Sequence, residues 1–359
     1  MDIDSKIEEI RYKITQLTDK NTKMRYMSDY TSLCVLLETL NPEYDSSSLM
    51  SFLNRDKTYR QFTILDDITS HNTKQELFEN SGVLSRIAYD ILSSFGKTIN
   101  CKDDFKISSE DFNNYINEFL SWLGNDVYGQ YKNLRDTGYI LISEDFINPC
   151  EFCMLTTPNI IVTNDFGYIT DCADLAHELG HNYADNLLRP RVNRYYVNNY
   201  SEVPSLTFEM LFIMFLKDKK YLTEKQISIL QRNFVTRYIS CVKSTYILHN
   251  LDYLGTYVDN NAYDKVIPFD FDYERLITDV NKFGTNINLK DLTFERDFYT
   301  IGLVIASNLS ELILDDRDLG RKYFDRFILD SLTMKLSDAL KQYSSESVKK
   351  LLLSFGSNN

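Results

Sequence analysis

Residues 177–181 read His-Glu-Leu-Gly-His, two histidines four apart with a glutamate beside the first. On a helix, positions i and i+4 project from nearly the same face, one turn apart. Two imidazoles so placed can share one zinc ion at about 2.0–2.1 Å each. Glu178 leaves the helix beside them, where it can take a proton from metal-bound water. The whole chain has four histidines, so this pattern rarely arises by chance, although a helix can also carry His and Glu on a solvated face. Catalytic zinc sites of this kind use two histidines and one carboxylate and leave a position for water. Glu202 is the candidate third ligand, 25 positions after His177. Glu209 falls on the same helical face two turns later, where a buried carboxylate can orient a ligand histidine from behind. The competing reading makes Glu202 and Glu209 ordinary helix-start and surface acids.

The elements that must position these groups are legible around them. Residues 170–188 read as a helix, and Asp171 near its start serves as a cap or hydrogen-bond partner, capping being favoured. Two short β-branched runs, 139–142 and 160–162, read as strands. Residues 149–154 lie between them as a candidate edge strand. Residues 189–200, polar and aromatic, form the longest expected loop, and a second helix opens at the Glu202 segment. Elsewhere the spacing predicts helices. Ser5 and Glu8 have capping-box spacing ahead of Ile7, Ile10, Ile14 and Leu17. Ser108 and Asp111 precede the stripe Phe112, Ile116, Phe119, Leu120 and Leu123, which Gly124 ends. Leu332, Leu336, Leu340 and Tyr343 share one face, and Ser345 opens a last short helix.

Composition agrees with a mainly α fold carrying a small β-sheet beside the motif helix. In 359 residues there are 12 glycines and 6 prolines, too few for a many-turned β-sandwich. Apolar residues make up 43% and charged residues 25%, ordinary globular values. The net charge of −13 disfavours a nucleic-acid partner, which needs clustered Lys and Arg. The charged start lacks a secretory core, and the most apolar run, 210–216, is too short for a bilayer. A cytoplasmic protein without a membrane partner is the default. Cys150 and Cys153 form one C-x-x-C without a second pair, so they read as two reduced thiols on or beside a strand. His71 and His249 stand isolated and read as ordinary residues.

The segment 158–167, Pro-Asn-Ile-Ile-Val-Thr-Asn-Asp-Phe-Gly, is followed by Asp171, Leu175 and the His177–His181 motif. With Glu202-Val203-Pro204-Ser205 and Glu209, this order resembles the core of the thimet oligopeptidase and oligoendopeptidase F family. The resemblance covers roughly fifty residues in order. It implies one Zn2+ per chain held by His177, His181 and Glu202, with Glu178 as general base. It also implies a helical, gluzincin-like fold with a deep channel that admits short peptides, an endopeptidase activity on them, and β-addition of the peptide near Glu151–Met154. Residues 1–130 would then be a reduced N-terminal helical region and 131–359 the catalytic region, continuous with it.

The departures lie late in the chain. Where the family carries His and then several tyrosines that stabilise the oxyanion, residues 296–303 read Arg-Asp-Phe-Tyr-Thr-Ile-Gly-Leu. Tyr299 matches one aromatic and is the expected oxyanion donor, with Tyr253 or Tyr257 as substitutes. Ala184 stands where a further histidine is usual. Such donors are typically worth ~100–1000-fold in rate. The departures therefore keep two other readings open: a catalytically impaired peptide-binding relative, and a narrow protease that matures one cognate peptide.

Overall fold

The computed structural model describes residues 2–41, 43–54, 56–94, 103–143, 148–164, 167–193, 198–250, 295–343 and 345–356. The fold is mainly helical with one three-stranded sheet. Contacts divide the chain into two interleaved units. The first takes residues 1–70 and 106–197, the second residues 71–105 and 198–359.

The first unit begins with α1 (Ile3–Gln16), α2 (Lys20–Leu40), α3 (Ser47–Leu53) and the start of α4 (Lys57–Glu79). Asp2, rather than Ser5, caps α1: its carboxylate accepts from the Ser5 N–H and hydroxyl. Ile7, Ile10 and Ile14 are buried as the spacing predicts, while Leu17 lies just past the helix. Helices α6 (Ser109–Leu123) and α7 (Asn125–Asp136) follow. Ser108 caps α6, its whole apolar stripe is buried, and Gly124 ends it.

Strands β1 (Ile140–Ser143), β2 (Cys150–Phe152) and β3 (Ile160–Asn164) form a sheet in the order β1-β3-β2. β1 runs parallel and β2 antiparallel to β3. The central strand is buried along its whole length, and β2 lies at an edge of the sheet. From β3 the chain passes Gly167 into α8 (Ile169–Leu188). Gly167 takes φ of 76°, a left-handed conformation that side chains disfavour, and its carbonyl accepts the Ile107 N–H at 2.8 Å.

Two residues one turn apart on α2 fasten the flanks of α8 and β2. Asp29 is fully buried and accepts from Leu155 N–H (2.6 Å), Thr156 N–H (2.9 Å) and the Thr156 hydroxyl. Arg25 donates to the carbonyls of Leu155, Arg189 and Val192 at 2.5, 2.9 and 2.7 Å. Satisfying backbone groups with one buried and one half-buried polar side chain fixes both loops against one helix.

The second unit contains α5 (Ser81–Ser93), α9 (Glu202–Lys219), α10 (Glu224–Leu248), α11 (Glu295–Asp315), α12 (Arg317–Asp330), α13 (Leu336–Gln342) and α14 (Ser345–Gly356). α9 and α11 pack closely, with Gly302 of α11 against Leu206 and the backbone of Glu202. By length and composition α11 could cross a bilayer, which the focus on residues 210–216 overlooked, but most of it is buried within the protein. The face predicted from Leu332 to Tyr343 is not one helix. The chain turns at 331–333 and restarts at Leu336, whose N–H donates to Glu76 Oε1 at 2.6 Å.

Candidate metal centre

Helix α8 presents His177, Glu178 and His181. Its first turn is closed by Asp171 at the third helical position, whose Oδ2 accepts the Tyr168 N–H at 2.9 Å. The imidazole centroids of His177 and His181 are 5.1 Å apart, with ring planes at 75°. His177 and Glu178 are only 7% and 6% exposed, and His181 is half-buried.

Glu202 is the first residue of α9 and is half-buried. The Ser205 hydroxyl contacts its Oε2 at 3.2 Å. The candidate ligand atoms of His177, His181 and Glu202 all lie within 4.8 Å of one another. Tetrahedral zinc with bonds near 2.0–2.1 Å separates its ligand atoms by roughly 3.4 Å. Two imidazoles and one carboxylate are the donor chemistry of an open zinc site.

Glu209 is buried two turns along α9 and receives the Tyr238 hydroxyl at 2.5 Å, with Arg237 at 3.5 Å. Burial, reinforced by the Glu209 charge, pushes the Tyr238 hydroxyl well above its ordinary range. Tyr299 lies half-buried on α11 with its ring 5.8 Å from that of Tyr238. Ile301 and Leu303, which occupy the expected tyrosine positions, are completely buried core residues. Tyr253 and Tyr257, the aromatic pair Tyr195–Tyr196, and Asp165–Phe166 of the family-like segment lie outside the described residues.

Two features escaped the sequence reading. The first is an acid pair in the first unit. Glu151 on β2 and Asp185, one turn past His181 on α8, have buried carboxylate oxygens, Oε1 and Oδ2, that meet no donor among the described residues. Burial raises the Glu151 carboxyl well above its ordinary range, and the charges of Asp185 and Glu178 add to the shift. Burial also raises Asp185, against the opposing effects of Cys153, His181 and Arg189. One proton held between the two carboxyls accounts for both groups. The i+4 spacing of Asp185 from His181 was the available signal. Nearby, burial pushes the Cys150 thiol up to about 12 and Cys153 well above its usual value. Both cysteines are free thiols, as read from the sequence.

The second feature is His249. It is not isolated: its Nδ1 is 2.7 Å from Ser81 Oγ and its Nε2 is 3.0 Å from Asp297 Oδ2. His71 is exposed on α4, as expected of a surface residue.

No family model matches the sequence, and no curated protein matches it. Among solved structures, the chain is similar to a crystal structure named "putative peptidase from Chlamydophila abortus", with a TM-score of 0.53 and 16% identity over 94% of this chain. A structure named "putative oligoendopeptidase F from Bacillus anthracis str. Ames" aligns with a TM-score of 0.45 and 12% identity over 93% of this chain. The chain spans 62% of the length of each. The first likeness is one of fold: the chain adopts a mainly helical architecture shared with a peptidase-named structure.

Proposed function

We propose that this protein is a zinc-dependent endopeptidase that hydrolyses short peptides, with one Zn2+ per chain held by His177, His181 and Glu202. The observation that carries the reading is the convergence of those three ligand atoms within 4.8 Å, with buried Glu178 in the same helical turn as the histidines. The shared fold with the Chlamydophila structure is consistent with it. Zinc bound there would supply Lewis acidity toward the scissile carbonyl and make water a stronger acid.

The chain's own residues do the rest. Glu178 accepts the proton of the attacking water and passes it to the leaving amine. Its burial keeps that carboxylate desolvated and fixed. Tyr299 is the oxyanion donor in this reading, with Tyr253 or Tyr257 as the alternatives. Binding of an extended peptide by β-addition at the edge strand β2, near Glu151–Met154, belongs to the same proposal. Asp171 and Glu209 act as supports of the ligand-bearing helices, and the site works in the cytoplasm.

The test is cleavage of a diverse short-peptide library read by mass spectrometry, with and without chelator, and with Glu178→Gln. Cleavage abolished by both controls is the expected result. A zinc-loaded, folded protein that cuts nothing in the library would overturn the broad-endopeptidase reading.

A further inference from the structure

The second unit holds a hydrogen-bonded chain of three side chains that the metal centre does not use. Ser81 is the first residue of α5, His249 caps the C-terminus of α10, and Asp297 is the third residue of α11. Ser81 Oγ meets His249 Nδ1 at 2.7 Å, and His249 Nε2 meets Asp297 Oδ2 at 3.0 Å. The imidazole and the carboxylate are 2% and 0% exposed, while Ser81 is only half-buried. We propose that Ser81, His249 and Asp297 form a metal-independent acyl-transfer centre, with Ser81 as its nucleophile and small esters as its substrates.

Three observations support this assignment. The Asp297 carboxylate accepts from Nε2, which fixes the tautomer with the proton on Nε2 and leaves Nδ1 as the acceptor for the serine hydroxyl. The two ring nitrogens are exchanged relative to the common serine-hydrolase arrangement, but nucleophile, base and orienting carboxylate keep their roles and order. Asp297 Oδ1 is buried with no donor among the described residues. A buried carboxylate oxygen left in that state adds negative charge beside an imidazole that must become cationic during attack. Finally, Ser81 and Gly82 open a helix, so their N–H groups have no preceding carbonyl of that helix to bond, and a side chain built at Gly82 would meet nothing within 4 Å. Open space beside two such N–H groups is where a carbonyl oxygen that turns anionic can sit.

The neighbourhood holds the base still. Asn250 donates to Ser85 Oγ at 2.7 Å and to the Tyr246 carbonyl at 2.6 Å, tying the end of α10 to the first turns of α5. In the reaction, Ser81 Oγ forms a bond to the ester carbonyl carbon as its proton passes to His249 Nδ1. Collapse breaks the ester C–O bond, and the alcohol leaves with the proton from Nδ1. Water, deprotonated by the same nitrogen, then releases the acid and restores the serine.

The test treats the full chain, in excess chelator, with a fluorophosphonate probe and locates the adduct by peptide mass spectrometry. The expected result is one adduct on Ser81, with the labelling rate reduced ~100-fold or more in both His249→Gln and Asp297→Asn. Thermal unfolding of each variant identifies any that fails to fold. No adduct on Ser81 in the folded wild-type chain would overturn the proposal. So would an adduct formed at the same rate in a folded His249→Gln variant, because Ser81 would then be merely exposed. Chelator separates this centre from the zinc reading, which requires the metal.

Discussion

Replacing Gly302 with alanine puts pressure on Glu202 from behind, without altering any metal-ligating group. A Cβ at position 302 would lie 2.7 Å from Leu206 Cδ1, 3.1 Å from Glu202 Cβ and 3.2 Å from the Glu202 carbonyl carbon. Carbon atoms in ordinary contact sit about 3.5–4.0 Å apart. The Leu206 tip can rotate away, but the start of α9 must move by a few tenths of an ångström. Overpacking of this size costs about 1–3 kcal/mol, and the gain in helix propensity on replacing glycine returns about 1 kcal/mol. The net loss is therefore between roughly zero and 2 kcal/mol, a fall in Tm of a few degrees. Metal affinity should respond more sharply. Ligand distances are held to about ±0.2 Å, and disturbing a ligand's support typically costs ~10–100-fold in affinity. Zinc titration against a chromophoric chelator should thus show at least a tenfold weaker site. Gly129→Ala is the matched control, because nothing lies within 4 Å of its added Cβ. It should raise Tm slightly and leave zinc binding unchanged. If Gly302→Ala binds zinc as tightly as the wild type, Glu202 does not hold the ion as proposed.

Two further outcomes follow from the first unit. Asp29→Ala strips the acceptor from two backbone N–H groups and a hydroxyl, and should cost about 3 kcal/mol in urea unfolding; a loss below about 1 kcal/mol would mean the Asp29 clamp is idle. Glu151 and Asp185 both have raised native carboxyl values, so the native state holds more protons than the unfolded chain from about pH 4 upward. Their contribution is present at low pH and is lost as pH climbs through the raised native values. In excess chelator, the stability difference between wild type and a Glu151→Gln, Asp185→Asn variant should shrink, or reverse in favour of the variant, as pH rises; a difference independent of pH would refute the shared-proton pair.

What the sequence could reveal depended on how local the cause was. The motif helix, expected over 170–188, spans Ile169–Leu188, because its period and its glycine turn are written within a few residues. Ser108 and Gly124 bounded α6 for the same reason. At the N-terminus the capping residue was misplaced by three positions, since Asp2 offers a stronger acceptor than Ser5. At the broken helix near 331–336, the Leu336 N–H is taken by Glu76, more than 250 positions away, a contact no local pattern encodes. The same holds for the site. His177, Glu178, His181 and Glu202 could be chosen by spacing. Glu151 with Asp185, and His249 with Ser81 and Asp297, are partners only after the strands and helices have packed.

Synthesis of this chain has an awkward order. Helix α5 buries Leu84, Ala88, Ile91 and Leu92 and packs against α10, yet α10 ends at Leu248, some 150 residues later. At a translation rate of ~5–20 residues per second, that apolar face waits on the order of ten seconds for its neighbour. Residues 106–197, which complete the first unit, are made in the interval. The nascent chain therefore carries the apolar face of α5 without its α10 neighbour throughout that interval.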